Sequence, residues 1–330
     1  MTKLNPPKPY TVTATIPSVY LSELNGCNVY LKLENTQPGG SFKSRGLGQY
    51  IAKEVAKLGP RDSAHIFSSS GGNAGLAAAH AARALGVPCT VVVPKTTKPA
   101  MVERISKTGA LVQVFGEHWG MADAYLKEKL IPELPPTVKG VYVHPFDHPE
   151  IWDGHATLVD ELANQLPVQP DAVVLSVGGG GLYNGTVLGL KRNDWSNTLI
   201  LAVETQGAES FYLSVKAGKN IVMDKMNSIA TSLQAPFVTK ETLEFGLGAH
   251  PTKNVLVTDR EAARSCVEFA QDHKFIVEAA CGASLSLAYD GKLKDLVPNL
   301  TEDSNVVIVV CGGTSANLQT LDEYAKTYSL

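Results

Sequence analysis

Cysteine is scarce in this 330-residue chain. The five residues (Cys27, Cys89, Cys266, Cys281, Cys311) are odd in number, far apart and never arranged as C-x-x-C. That pattern excludes a disulfide framework or a spaced zinc site and predicts a reducing compartment. Long apolar runs are also missing. The longest, such as Val306 to Val310, are strand-length, so no membrane crossing is predicted. The opening MTKLNPPKPYTVT lacks an apolar h-region and no arginine precedes Arg45. Neither a secretory signal nor a mitochondrial presequence is expected, and the expected location is cytoplasmic. Charge of one sign is absent as well: 29 basic against 32 acidic side chains leave −3, which argues against a nucleic-acid footprint. G-x-S-x-G, G-x-x-x-x-G-K-[ST] and H-E-x-x-H do not occur, removing serine-hydrolase, P-loop and zincin machineries.

What is present suits a globular α/β chain. With 44% hydrophobic residues a core is available, and the length predicts about two domains. Short β-branched runs alternate with helical stretches, the rhythm of a mostly parallel sheet. Expected strands are 64–68, 89–93, 111–115, 141–144, 172–177, 199–204, 255–258 and 305–310. The apolar spacing predicts a helix over 42–58 with Ser41 as N-cap, and an alanine-rich helix over 73–85 closing on Gly86. The segment 132–136, PELPP, reads as a turn or linker near a domain boundary.

Four glycine-rich junctions stand out, three of them directly after expected strands. Gly178, Gly179, Gly180 and Gly181 come straight after AVVLSV and before a helical stretch from Leu182. Backbone N–H groups there, with a helix N-terminus behind them, make a phosphate site. A dinucleotide fingerprint needs G-x-G-x-x-G at an early strand, and Glu204, 23 residues after Gly181, keeps that reading only weakly alive. PGGSFKSRG puts Lys43 in the first turn of a helix beside Phe42. The positive helix end and the aromatic neighbour both favour a neutral amine, as covalent carbonyl chemistry requires. SSSGGNAG, Ser68 to Gly75, is a carboxylate-sized anion cradle. VVCGGTSANL places Cys311 at a strand's carboxyl end, where α/β proteins bind ligands, although a small core cysteine is the plainer reading. His144, His148 and His155 lack helical metal-ligand spacing, so a metal site there is not expected.

Taken in order, SFKSRG, SSSGGNAG, SVGGGGL and VVCGGTSANL resemble fold type II pyridoxal-phosphate enzymes, and among them the L-serine/L-threonine dehydratases of the liver type. YLKLENTQPGGSFK, AARALGVPCTVVVP, IWDGHA, ETQGAES and VEAACGA extend the likeness over nearly the whole chain. The resemblance implies a tryptophan-synthase-β-like α/β fold: two doubly wound, mostly parallel sheets with pyridoxal 5′-phosphate between the domains. Residues 1–39 and 146–330 would form the large cofactor domain and residues 40–145 the small substrate domain, with no regulatory domain.

It also implies roles. Lys43 would carry the cofactor covalently and shuttle the α-proton, with Ser70 as the second catalytic residue. Phe42 would flank the ring, Asn73 would bond the 3′-hydroxyl, and Gly178–Gly181 with Leu182 would hold the phosphate. Ser70, Gly71, Asn73 and Ala74 would bind the substrate carboxylate, and Cys311 would face the pyridine nitrogen. Gly178, Glu204, Ala208, Leu233 and Ala235 would bind a monovalent cation, potassium. The expected substrates are L-serine and L-threonine, the expected assembly a homodimer, and neither nucleic acid nor membrane is a partner. Two positions depart from the pattern. Gly71 stands where the liver enzyme has alanine and serine racemase has serine, which predicts a methyl-sized gap and no second acid/base. His148 replaces an acidic residue. Rival readings are serine racemase, a β-replacing synthase, a silent cofactor-holding protein and a dinucleotide oxidoreductase.

Overall fold

The computed structural model describes residues 8–59 and 63–330. Two compact units emerge among the described residues: residues 8–11 with 37–59 and 63–154, and residues 12–36 with 155–330. Ten strands are present among the described residues: β1 (Thr15–Pro17), β2 (Asn28–Lys32), β3 (Ala64–Ser68), β4 (Cys89–Val93), β5 (Leu111–Val114), β6 (Lys139–Tyr142), β7 (Ala172–Ser176), β8 (Leu199–Thr205), β9 (Thr252–Val257) and β10 (Asn305–Val309).

The first unit is built on a four-stranded sheet ordered β5-β4-β3-β6, parallel throughout. β4 is buried at every position, as a strand covered on both faces must be. The helix Asn73–Leu85 follows β3 and buries nine residues, six of them alanines. Its small side chains let it lie close to the sheet and to the neighbouring helix Lys43–Leu58. PELPP is not at a unit boundary: it is a turn inside this unit, with Leu134 N–H bonded to Ile131 O and Val138 N–H to Pro135 O. Proline supplies the turn but carries no information about where a core ends.

The second unit has a six-stranded sheet ordered β1-β2-β10-β7-β8-β9, parallel except for β1 against β2. β7 and β10 are buried along their whole length. The helix Ala279–Tyr289 is buried at all eleven positions, the mark of a central helix. β1 and β2 escape the sequence reading for a physical reason. β1 has three residues and ends on Pro17. β2 carries Lys32, which is fully buried because its Nζ meets Glu161 at 2.7 Å, Gln165 at 2.9 Å and Thr13 O at 2.9 Å. A lysine in a strand reads as an exposed position until those distant partners are known. β6 starts two residues earlier than expected, and the helix expected over 42–58 begins at Lys43.

Candidate active site

The glycine run Gly178–Gly181 links β7 to the helix Gly181–Arg192. Gly180 has φ +96°, and a Cβ there would overlap Thr242 Oγ1, so glycine is required by both backbone and packing. Thr242 is itself fixed: its Oγ1 donates to Asn184 Oδ1 at 2.8 Å, while Asn184 Nδ2 donates to Thr239 at 2.9 Å. Among the described residues, the backbone N–H groups of Gly178, Gly179, Gly180, Gly181 and Leu182 have no protein acceptor. Gly179 through Leu182 are buried. Buried N–H donors at a helix N-terminus left without acceptors are costly unless an anion takes them. The donor set fits a phosphate.

A second such place lies in the first unit, between β3 and the helix Asn73–Leu85. Ser70 Oγ accepts the Gly72 N–H at 3.3 Å, and the N–H groups of Gly71 and Ala74 have no protein acceptor among the described residues. The gap expected at Gly71 does not exist. A Cβ there would overlap Thr97 Oγ1 and stand 2.7 Å from Thr97 Cγ2. Thr97 sits in the turn after β4, its N–H bonded to Pro94 O at 3.0 Å, and fills the space.

Beneath that loop is a network the sequence reading missed. Ser69 Oγ donates to Asp123 Oδ1 at 2.6 Å, Tyr142 OH donates to the same oxygen at 2.7 Å, and Trp119 Nε1 donates to Ser69 Oγ at 3.1 Å. Lys127 Nζ meets Asp123 Oδ2 at 2.7 Å. Burial pushes the Asp123 carboxyl up, but the hydrogen bonds from Lys127, Ser69 and Tyr142 outweigh it and hold the group below the ordinary carboxylate range. Ser69 lies 54 residues from Asp123, so only the serine-rich loop itself was visible beforehand.

Lys43 opens the helix Lys43–Leu58. The N-cap is Phe42, in helical conformation and with no side-chain cap bond. Ser41, expected to cap, instead has a buried hydroxyl without a hydrogen-bond partner. Lys43 Nζ lies 5.1 Å from the Phe42 ring centroid and donates to Pro145 O at 2.5 Å. His148 has a local use: its Nδ1 accepts the Glu150 N–H at 3.1 Å at the start of the helix Pro149–Gln165. That is the capping task an acidic side chain performs, which accounts for the exchange. His144 Nδ1 likewise accepts backbone N–H groups, from Phe146 at 3.3 Å and Asp147 at 2.8 Å.

In the second unit Cys311 follows β10 and is buried. A hydrogen bond with Cys281 and burial push its thiol far above the ordinary range, so it is a neutral S–H. Glu278, 5% exposed, organises the loop that follows. Its Oε1 accepts the Ser315 N–H at 2.9 Å and its Oε2 the Ser232 hydroxyl at 2.6 Å. Glu278 lies just before Ala279 in VEAACGA, and nothing local marks it out.

Of the expected cation ligands, Glu204 and Ala208 flank one turn at the end of β8, and Gly178 packs on Leu233, whose carbonyl accepts the Ala235 N–H at 2.7 Å. Glu204 is 1% exposed and accepts N–H groups from Phe211 at 2.8 Å and Tyr212 at 2.7 Å. Burial nevertheless pushes its carboxyl up to about 8. Ser210 Oγ and Glu209 Oε2 close by in sequence are buried without a hydrogen-bond partner. Among the described residues, no group of three or more His, Cys, Asp or Glu side chains is placed to hold a metal ion. No described helix is long and apolar enough to cross a membrane.

Comparison with known proteins follows the same lines. Residues 8–312 match the family of pyridoxal-phosphate dependent enzymes. The chain is 42% identical over 333 aligned positions to an L-serine dehydratase of Saccharomyces cerevisiae strain RM11-1a, covering 97% of this chain and 98% of that one. It is 42% identical to an L-serine dehydratase/L-threonine deaminase of Mus musculus, covering 92% and 91%. The crystal structure of a fungal L-serine ammonia-lyase from Rhizomucor miehei superposes with a TM-score of 0.89 at 39% identity, over 97% and 99% of the two chains.

Proposed function

Because the chain belongs to the family of pyridoxal-phosphate dependent enzymes, we propose that it is an L-serine/L-threonine ammonia-lyase. Serine is converted to pyruvate and ammonia, threonine to 2-oxobutanoate and ammonia. The observation that carries the reading is the row of buried N–H groups from Gly179 to Leu182 that no protein atom accepts, in a chain similar throughout to an L-serine dehydratase.

When bound, the cofactor supplies the electron sink that acidifies the Cα–H bond of an amino acid. The chain supplies the rest. Lys43 would hold the cofactor and move the proton at Cα, and Phe42 would flank the ring. Asn73 would bond the 3′-hydroxyl, while Gly178–Gly181 and Leu182 would take the phosphate. Ser70, Gly71, Asn73 and Ala74 would hold the substrate carboxylate. Cys311 would face the ring nitrogen with a thiol that stays protonated and so would offer it no strong acid, which favours elimination over racemisation. Gly71 points the same way, since it offers no acid on the opposite face. Potassium would be held by Glu204 and the carbonyls of Gly178, Ala208, Leu233 and Ala235; the buried, unpartnered Ser210 hydroxyl, which follows Ala208 by two residues, supports this. The enzyme works as a cytoplasmic homodimer, a reading supported by its family likeness and its five free cysteines.

The test is a keto-acid assay on both amino acids. L-Serine should yield pyruvate as the main product; D-serine instead would overturn the reading in favour of racemisation. The visible absorption band of the loaded protein should vanish in Lys43→Ala, and a band that persists would remove Lys43 from its role.

A further inference from the structure

We propose that the turn His144–Asp147 is a receiver for the Lys43 amine, with the Pro145 carbonyl as its acceptor and His144 as the positioning residue that aims that carbonyl. The inference rests on the assignment of Lys43 as the cofactor lysine. A lysine that gives up its covalent partner to the substrate amine exchanges one C–N bond for another, without oxidation or reduction, and the proton balance passes between the two nitrogens. It then spends part of each cycle as a free amine on a four-carbon stem with much rotamer freedom. Unless something holds it, the return attack is slowed by the search.

The structure places that hold at Pro145, whose carbonyl takes the Lys43 Nζ hydrogen bond at 2.5 Å. An amine donating one N–H to a neutral carbonyl is anchored while its lone pair stays directed elsewhere. The carbonyl is itself fixed. On one side of the turn, His144 Nδ1 accepts both the Phe146 and the Asp147 N–H. On the other, Trp152 Nε1 donates to Phe146 O at 2.8 Å. Two N–H groups aimed at Nδ1 require a lone pair there, so the ring is the neutral tautomer with its proton on Nε2. Aromatic neighbours hold the ring edge-on: Phe146 at 4.7 Å, and Trp119 and Tyr142 each at 6.3 Å between centroids. Trp119 and Tyr142 are also the residues bonded to Ser69 and Asp123 beneath the Ser70 loop. One aromatic frame therefore supports both the carboxylate loop and the lysine receiver.

The experiment compares His144→Ala, His144→Asn and His144→Gln in the full chain. The Asn amide oxygen reproduces the Nδ1 acceptor, whereas Gln reaches the Nε2 position. One readout is free of turnover: the rate at which the cofactor-stripped chain regains its visible band when pyridoxal phosphate is added. The second is the split between kcat and KM for L-serine. His144→Ala and His144→Gln should slow band recovery and lower kcat by ~10–100-fold, the scale of an ångström's misplacement, with KM nearly unchanged. His144→Asn should recover most of both. Wild-type behaviour of the Ala variant, equal rescue by Gln, or a loss confined to KM would overturn the proposal. Should Ala fail to fold, the Asn/Gln contrast decides. Lys43→Ala separates the two layers: if that variant keeps its band, the lysine assignment itself has failed, whatever His144 does.

Discussion

Thr97 fills the space that a Cβ on Gly71 would need. The two residues are 26 positions apart and behave as one unit of volume, so the missing side chain at 71 leaves the loop packed.

Gly71→Ala should therefore be an overpacking substitution. Displacing a side chain in a packed site costs about 1–3 kcal/mol, which lowers kcat/KM for L-serine by ~5–150-fold if expressed at the loop. The double variant Gly71→Ala/Thr97→Ala should recover most of the loss. Steady-state kinetics on the three variants decide it, and a fully active Gly71→Ala would mean that Thr97 swings aside at no cost.

Asp123 should matter to substrate binding without touching substrate. Asp123→Ala removes the acceptor of the buried Ser69 hydroxyl and of the half-buried Tyr142 hydroxyl, at about 1–3 kcal/mol for a buried donor left unsatisfied. The expected result is a lowered thermal midpoint and a raised KM for both amino acids, with the visible band unchanged. A raised midpoint would contradict the network.

His250 predicts an acid-sensitive stability. Its Nε2 donates to Thr198 O at 3.0 Å while Nδ1 is buried without a partner, and burial lowers its pKa from 6.5 to about 4. The unfolded chain thus binds more protons than the native one in that window, so this contribution is intact above pH 6.5 and lost as pH falls toward 4. His250→Gln keeps the hydrogen bond without the titration. It should match wild type at pH 7 and be the more stable of the two at pH 5. Urea melts at both values measure this, and parallel curves would refute it.

Potassium should stabilise the wild type and not Glu204→Gln. Ligand linkage gives about 2.7 kcal/mol at a hundredfold excess over Kd. Thermal midpoints in potassium and in tetramethylammonium chloride make the comparison. Equal shifts in both proteins would mean that Glu204 is not a ligand.

Local chemistry carried a good part of the fold. β4, β7 and β10 are runs rich in valine and isoleucine that are buried at every position, and a strand buried on both faces has little freedom to look otherwise. The helix Asn73–Leu85 announces its end with Gly86, which takes the left-handed conformation at φ +68°. What stayed hidden depends on partners far along the chain. Lys32 is buried because Glu161 is there, and Ser69 is anchored because Asp123 is there. Ser41 fails to cap because Phe42 continues the helical turn. The glycine-rich junctions were visible as composition, whereas Thr97 beside Gly71 and Thr242 beside Gly180 were not, since a missing side chain says nothing about what occupies its place.

The pairing of β2 with β10 has a consequence for how this protein is made. Asn28–Lys32 leaves the ribosome long before its parallel partner Asn305–Val309. The four-stranded unit is complete by residue 154, but the larger sheet cannot close until β10 has been made. Until then Val29 and Leu31 wait with an unpaired edge, where slow translation or a premature stop downstream invites aggregation.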